Sequence, residues 1–141
     1  MMPLMYIEPT QAQGAAFFGN PPAGPVVMLN LLRFRAQADY AAHPELAGPT
    51  AVSGQEAYAR YARHTMPFLT EAGGKVLFQG SGGAHLIGPT DDRWDLVLLV
   101  QHQSADAFLA FARNEAYLAG QGHRTAALED SRLLPIVATD P

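Results

Sequence analysis

Cysteine is absent from the 141 residues, which excludes disulfides, thiolate zinc sites and cysteine nucleophiles. Lysine is nearly absent: Lys75 stands alone among nine basic residues, and the other eight are arginine. With thirteen acidic residues and a formal net charge of -4, the chain lacks the basic surface that a polyanion partner requires, so no nucleic-acid binding is expected. Apolar runs are short; Leu96 to Val100 falls far below bilayer-spanning length, so no membrane association is expected. The start, Met1-Met-Pro-Leu-Met-Tyr-Ile-Glu8, has neither a basic region nor a long apolar run. It does not read as a signal peptide, and a cytoplasmic location is expected.

Several chemical signatures are missing as well. No His-x-His or His-x-x-x-His spacing occurs, so no metal site is expected. Gly80-Ser-Gly-Gly83 lacks the Lys-Ser/Thr of a phosphate loop and is read as a turn. Gly-x-Ser-x-Gly is also absent, and no cofactor is called for.

What is present is a core-forming composition, 48% hydrophobic and 16% charged, which suits one packed domain over 1–141. Residues 1–24 form an N-terminal extension with a short helix that Thr10 can cap. Pro25 to Phe34 reads as a strand apolar on both faces: Val26, Met28, Asn30, Leu32 and Phe34 on one, Val27, Leu29, Leu31 and Arg33 on the other. Residues 36–52, rich in Ala and Pro, form an insertion. They act either as a lid or dimer arm or as inert chain, with a short helix expected over 37–42.

Ser53-Gly-Gln-Glu56 is a capping-box pattern that opens the main helix, about 54–72. Its apolar stripe is Tyr58, Tyr61, Ala62, Thr65, Phe68, Leu69 and Ala72, and Pro67 is expected to kink or divide it. Strands are expected at 75–79, 94–102 and 132–137, with a short pairing strand at 84–88. Helical segments are expected after Ser104, from Asn114 and over 125–130. Gly120 and Gly122 are expected to loosen the chain before His123 and Arg124. Pro135 in the last strand argues for an edge or bulged position.

The order strand, helix, strand, strand, helix, strand is the split βαβ plan: an α+β, ferredoxin-like fold with an antiparallel sheet. Its helices lie on one face. The other face must be covered by the N-terminal helix or by the sheet of a second chain; a homodimer through sheet faces buries more area.

A series of segments then carries a resemblance: Val27-Met-Leu-Asn-Leu-Leu-Arg-Phe34, Gly54-Gln-Glu-Ala-Tyr-Ala-Arg-Tyr61 and Glu71-Ala-Gly-Gly-Lys-Val-Leu-Phe78, then Trp94-Asp-Leu-Val-Leu-Leu-Val100, Ala116-Tyr117 and His123 to Pro135. In order and spacing they resemble the small bacterial DUF family thirteen-thirty, of the dimeric α+β-barrel superfamily. The resemblance covers roughly 25–137 and implies a homodimer with facing sheets, but no established activity. Superfamily relatives include muconolactone isomerases, cofactor-free quinol monooxygenases and haem-degrading monooxygenases, with sites between sheet and helices. Shared fold does not transfer chemistry.

Polar residues set into apolar elements nominate a site. His64, on the main helix, is the candidate general base, since imidazole titrates near neutrality. Arg124 is the candidate anion clamp; alternatively it pairs with Glu129 or Asp130. Asn30 is the candidate oxyanion donor, or else a structural hydrogen-bonding group. Tyr61, Trp94, Arg33, Tyr58 and His102 complete the candidate substrate-binding set. For Arg33 the alternative is pairing with Asp95 or a partner's carboxylate. For Trp94 and the tyrosines it is core packing. The implied function is a small-molecule pocket, with cofactor-independent isomerisation or oxygenation of a small organic acid or aromatic. The alternative is a non-catalytic binding or structural dimer.

Overall fold

The computed structural model describes residues 5–141. The expectation of an extended start lies partly outside them; residues 5–9 are irregular. Helix α1 (Gln11–Gly19) follows, with a full capping box: Thr10 Oγ1 accepts from Gln13 N and the Gln13 side chain returns to Thr10 N. Then come β1 (Val26–Phe34), α2 (Gly54–Glu71), β2 (Lys75–Ser81), β3 (Leu96–His102), α3 (Ala105–Ala112), α4 (Glu115–Leu118), α5 (Gln121–Ala127) and β4 (Leu128–Ile136). The four strands form one antiparallel sheet in the order β2-β3-β1-β4, the ferredoxin-like arrangement.

Register assigns the two faces. Directly opposed residues share a face in an antiparallel pair. Met28, Val100 and Pro135 are opposed, as are Asn30, Leu98 and Leu133, and Leu32, Leu96 and Ser131. These rows face the helices, where Leu32, Leu98 and Leu128 close the core with Ala57 of α2 and Ala127 of α5. The other face carries Val27 with Ile136, and Leu29 with Leu99 and Leu134. No helix covers it: Leu134 is 56% exposed and Phe78, also on this face, 59%. The N-terminal helix does not serve as its cover, because the Phe18 ring of α1 stacks on Phe108 of α3, on the helix side.

Several expectations are corrected. α2 continues through Pro67, without division. The hydrogen bond that Pro67 cannot donate belongs to the carbonyl of Arg63, four residues back, and both residues are exposed, so solvent satisfies that carbonyl. Ser53 caps α2 by accepting from Glu56 N at 3.0 Å, but the Glu56 carboxylate turns to Arg63 rather than completing the box. Residues 84–88 form no strand. The segment 125–130 is not helical throughout: α5 ends at Ala127 and β4 begins at once, because the backbone turns extended at Leu128. Residues 37–42 form no helix; instead Pro44–Leu46 makes a short 3-10 turn.

Gly120 and Gly122 do not loosen the chain. Both are buried, and a Cβ at Gly120 would overlap the His64 ring, while one at Gly122 would press on His43 and Leu46. They are close-packing positions where a bare backbone is needed. Pro135 lies in β4, an edge strand, as its missing N–H requires.

Candidate functional site

Between the sheet and the helices lies a cleft, part of a cavity of about 1970 Å³ that also reaches Leu29, Leu31 and Leu134 of the open face. An ordinary ligand pocket needs roughly 300–1,000 Å³, so a small molecule would fill part of it. Its floor is the helix-facing sheet row: Met28, Asn30, Leu98, Val100 and His102. Its roof is the stripe of α2: Tyr58, Tyr61, Ala62, Thr65 and Leu69. Phe108 and Phe111 of α3 and Tyr117 of α4 form one wall, and Phe17 and Phe18 of α1 reach its edge. α3 and α4 are placed by Ser104, which caps α3 through Ala107 N, and Asn114, which caps α4 through Ala116 and Tyr117 N.

The cleft brings together Asn30, Arg124, Tyr58, Tyr61 and His102. It does not include His64, Trp94 or Arg33. His64 points at α4, where Nε2 lies 2.8 Å from the carbonyl of Ala116 and 3.1 Å from that of Tyr117. Two carbonyls can only accept, so Nε2 carries the proton and donates. A base role for His64 would rest on Nδ1 alone. Arg33 and Trp94 lie on the open face of the sheet: the Arg33 guanidinium stands 4.8 Å over the Trp94 ring, and Arg132 stands 5.0 Å over the same ring. Trp94 and Tyr61 therefore do not form two walls of one cavity. Arg33 donates to the carbonyl of Arg93 and faces Asp92 and Asp130, not Asp95.

Of the polar groups that do line the cleft, two are already engaged. Arg124 donates to the carbonyl of Ile7 at 2.7 Å and to Ser131 Oγ at 3.4 Å, rather than pairing with Glu129 or Asp130. Asn30 Nδ2 donates back to the carbonyl of Met28 at 3.2 Å. The insertion at 36–52 lines none of the cleft. It is bound to the outer side, where Asp39 N donates to the carbonyl of Ala126 and the Tyr40 hydroxyl meets His123 Nδ1 at 2.7 Å.

Other groups in the cleft are not engaged. His102 is 2% exposed, flanked by the rings of Phe108 and Phe111, and its Nδ1 has no hydrogen-bond partner among the described residues. Thr65, 7% exposed, has a buried Oγ1 with no hydrogen-bond partner among the described residues. The Tyr61 and Tyr117 hydroxyls bond to each other at 2.7 Å. Burial pushes the Tyr58 and Tyr117 hydroxyls well above the ordinary tyrosine range, with Tyr61 adding to both shifts. Burial lowers the His102 imidazole below its usual value. The positive charge of Arg124, which also lines the cleft, works against the rise at both tyrosines. Among the residues that sequence reasoning missed, Thr65 left one legible signal: a hydroxyl on an otherwise apolar helical stripe.

The His102 shift has a measurable consequence. The unfolded chain binds a proton near pH 6.5, whereas the folded chain resists it. Stability is therefore full above that pH and falls as pH drops from 6.5 toward the depressed folded value. His123, lowered first by burial and then by Arg60, His64 and Arg63, acts in the same direction. Urea midpoints are expected to decline below pH 6.5, and His102→Phe, which fits between two phenylalanine rings, is expected to shallow the decline. An unchanged slope in that variant would show that His102 is not held neutral.

The comparisons with known proteins agree with this architecture. A family model described as "Domain of unknown function (DUF1330)" matches residues 46–137. The chain belongs to the DUF1330 family. A solved structure of RPA0582, a protein of unknown function from Rhodopseudomonas palustris, is 39% identical, with 98% of this chain and 100% of that one covered and a TM-score of 0.85. The structure of the methylated RPA0582 protein gives 39% identity, 97% coverage of each chain and a TM-score of 0.87. A protein from Bacteroides fragilis, described as dimeric, of unknown function and ferredoxin-like, is 12% identical over 79% of this chain and 94% of that one, with a TM-score of 0.47. No curated protein matches the chain. Like the DUF1330 family as a whole, the relative that is similar along the full length carries no assigned activity. Among the described residues, no helix is long and apolar enough to cross a membrane, and no group of three His, Asp or Glu is placed to hold a metal ion.

Proposed function

We propose that this DUF1330 protein binds a small organic molecule in the cleft between sheet and helices. The observation that carries the reading is the make-up of the cleft: walls that are mainly apolar and aromatic, with a few polar groups, Asn30, Arg124 and the Tyr61–Tyr117 hydroxyl pair, among them. An apolar cleft with a few convergent polar groups is the ordinary form of a small-molecule site.

A catalytic version of the same reading, cofactor-independent isomerisation or oxygenation, is favoured by His102. Its imidazole is uncharged at neutral pH and so can act as a proton acceptor, although the burial that keeps it uncharged also makes it a weaker base. In this reading the base is His102, because the Nε2 of His64 is occupied.

The proposal extends to assembly. The open sheet face supports a homodimer in which two such faces meet. Val27, Leu29, Leu31, Val97 and Leu99 form a continuous apolar surface there, of the kind that marks an interaction site.

The binding reading is tested by following protein resonances of Phe111, Leu98 and His102 by NMR while small aromatic and aliphatic compounds are added. Shifts confined to these residues are expected. A library that moves none of them would overturn the reading. Exchange of ligand protons for deuterium in the same samples would add catalysis to binding.

A further inference from the structure

Three arginines line the cavity, against one carboxylate, Glu8, which is exposed. Two of the arginines are matched: Arg63 lies 3.4 Å from Glu56, and Arg132 lies 2.8 Å from Asp130. Arg124 is not. Its guanidinium donates to the carbonyl of Ile7 at 2.7 Å and to Ser131 Oγ at 3.4 Å, and both acceptors are neutral. Among the described residues no carboxylate forms an ion pair with it. Two of its five N–H groups are used in this way, and three remain. A half-buried cation without a counter-charge has lost hydration and gained no ion pair. An anion beside it would supply the missing charge.

The surroundings of Arg124 suit both ends of an organic anion. Its positive charge is felt at the hydroxyls of Tyr58 and Tyr117, which line the same cleft. The Tyr117 hydroxyl bonds to that of Tyr61 at 2.7 Å. With Tyr117 as donor, the O–H of Tyr61, the less buried of the two, is available to an acceptor in the cleft. Past the hydroxyls the wall turns apolar. The rings of Tyr61 and Tyr117 lie 6.1 Å apart, centre to centre, and that of Phe111 lies 4.4 Å from Tyr117. Hydrocarbon laid along these rings is removed from water.

Resting on the small-molecule reading above, we propose that the ligand is an organic acid with a single carboxylate, bound to Arg124, and a small apolar body that lies along Tyr61, Tyr117 and Phe111. One guanidinium balances one negative charge. A carboxylate also matches its fork of donors. A doubly charged head, such as a phosphate monoester, would bring a second charge out of water with no cation to meet it.

The experiment titrates the full chain at pH 7 with benzoate, benzamide and phenyl phosphate, which share one ring and differ in the charge of the head. The Nε–H resonance of Arg124 and the ring resonances of Tyr61 and Phe111 are followed. Hydrogen bonds to an ionised group are about twice as strong as neutral ones. Benzoate is therefore expected to bind about ten-fold tighter than benzamide, to move the Arg124 resonance, and to bind tighter than phenyl phosphate. Arg124→Gln is expected to bring benzoate down to the affinity of benzamide, and Arg124→Lys, which keeps the charge, to retain part of the preference. Should neither variant fold, the wild-type ranking decides by itself. Benzamide binding as tightly as benzoate, phenyl phosphate binding tightest, or a benzoate preference that survives in folded Arg124→Gln would overturn the proposal and leave the binding reading standing. Silence of all three ligands at the cleft would overturn both.

Discussion

Leu29→Lys is expected to abolish the proposed facing-sheet dimer. Leu29 is at the centre of the open sheet face, opposite Leu99 on one side and Leu134 on the other. In the isolated chain its side chain is only partly buried, so a lysine there can reach water and the fold survives. Against a second apolar sheet the same ammonium would be trapped without a partner, a penalty of several kcal/mol. A penalty of about 4 kcal/mol corresponds to roughly a thousand-fold rise in dissociation constant. Sedimentation at micromolar concentration should give wild-type protein at twice the chain mass and the variant at the chain mass, with unchanged far-UV circular dichroism. A monomeric wild type would remove the facing-sheet assembly altogether.

The second large effect is expected at Asp130. This carboxylate is 3% exposed, yet it gathers four donors. Its Oδ1 accepts from Tyr6 N at 2.8 Å, Ser131 N at 2.9 Å and Arg132 Nη1 at 2.8 Å, and Oδ2 faces Arg33 at 3.8 Å. Asp130→Ala takes the acceptor from two amides and the carboxylate from Arg132, and leaves Arg33 with Asp92 and the carbonyl of Arg93. Removing one partner of a buried pair costs about 3–5 kcal/mol, but Arg132 keeps access to solvent, so about 3 kcal/mol is expected. Asp130→Asn keeps an acceptor and should lose less. Urea denaturation reads both. A loss below about 1 kcal/mol for the alanine variant would mean that the cluster is solvated rather than mutually supported. Amide exchange at Tyr6 should also accelerate, because the amide loses its acceptor.

The framework of this molecule was legible because it is written in periodicities. Alternation placed Asn30 and Arg33 on opposite faces, and register confirms it: Asn30 faces the helices and Arg33 the open side. The α2 stripe and its Ser53 cap were readable from spacing alone. Ends of elements were less so. The start of β4 at Leu128 follows from an edge of α5 that no glycine or proline announces.

The candidate site was legible in membership but not in state. Sequence identifies His64, Arg124 and Asn30 as polar groups among apolar neighbours; it does not say which hydrogen bonds they already make. Each is engaged by a backbone carbonyl, from Ala116, Ile7 and Met28 respectively, and two of those partners are distant in sequence. His102 was the less prominent histidine because its strand-end position gives no hint that Phe108 and Phe111 will enclose it. Long-range packing decides which donors remain available, and no local pattern encodes that.

The way the sheet ends bears on aggregation. An uncovered edge strand invites strands of other molecules to add on without limit. Here β4 carries Pro135, which has no N–H to offer, and its start is overlaid by residues 6 and 7, whose backbone bonds to Asp130, Ser131 and Arg124. At the opposite edge β2 breaks register between Val76 and Phe78, which interrupts the regular ladder a newcomer would need. Sticky surface is thus confined to a flat face and kept from both rims. Self-association through such a face stops at two copies, whereas association through a rim would run on into fibres.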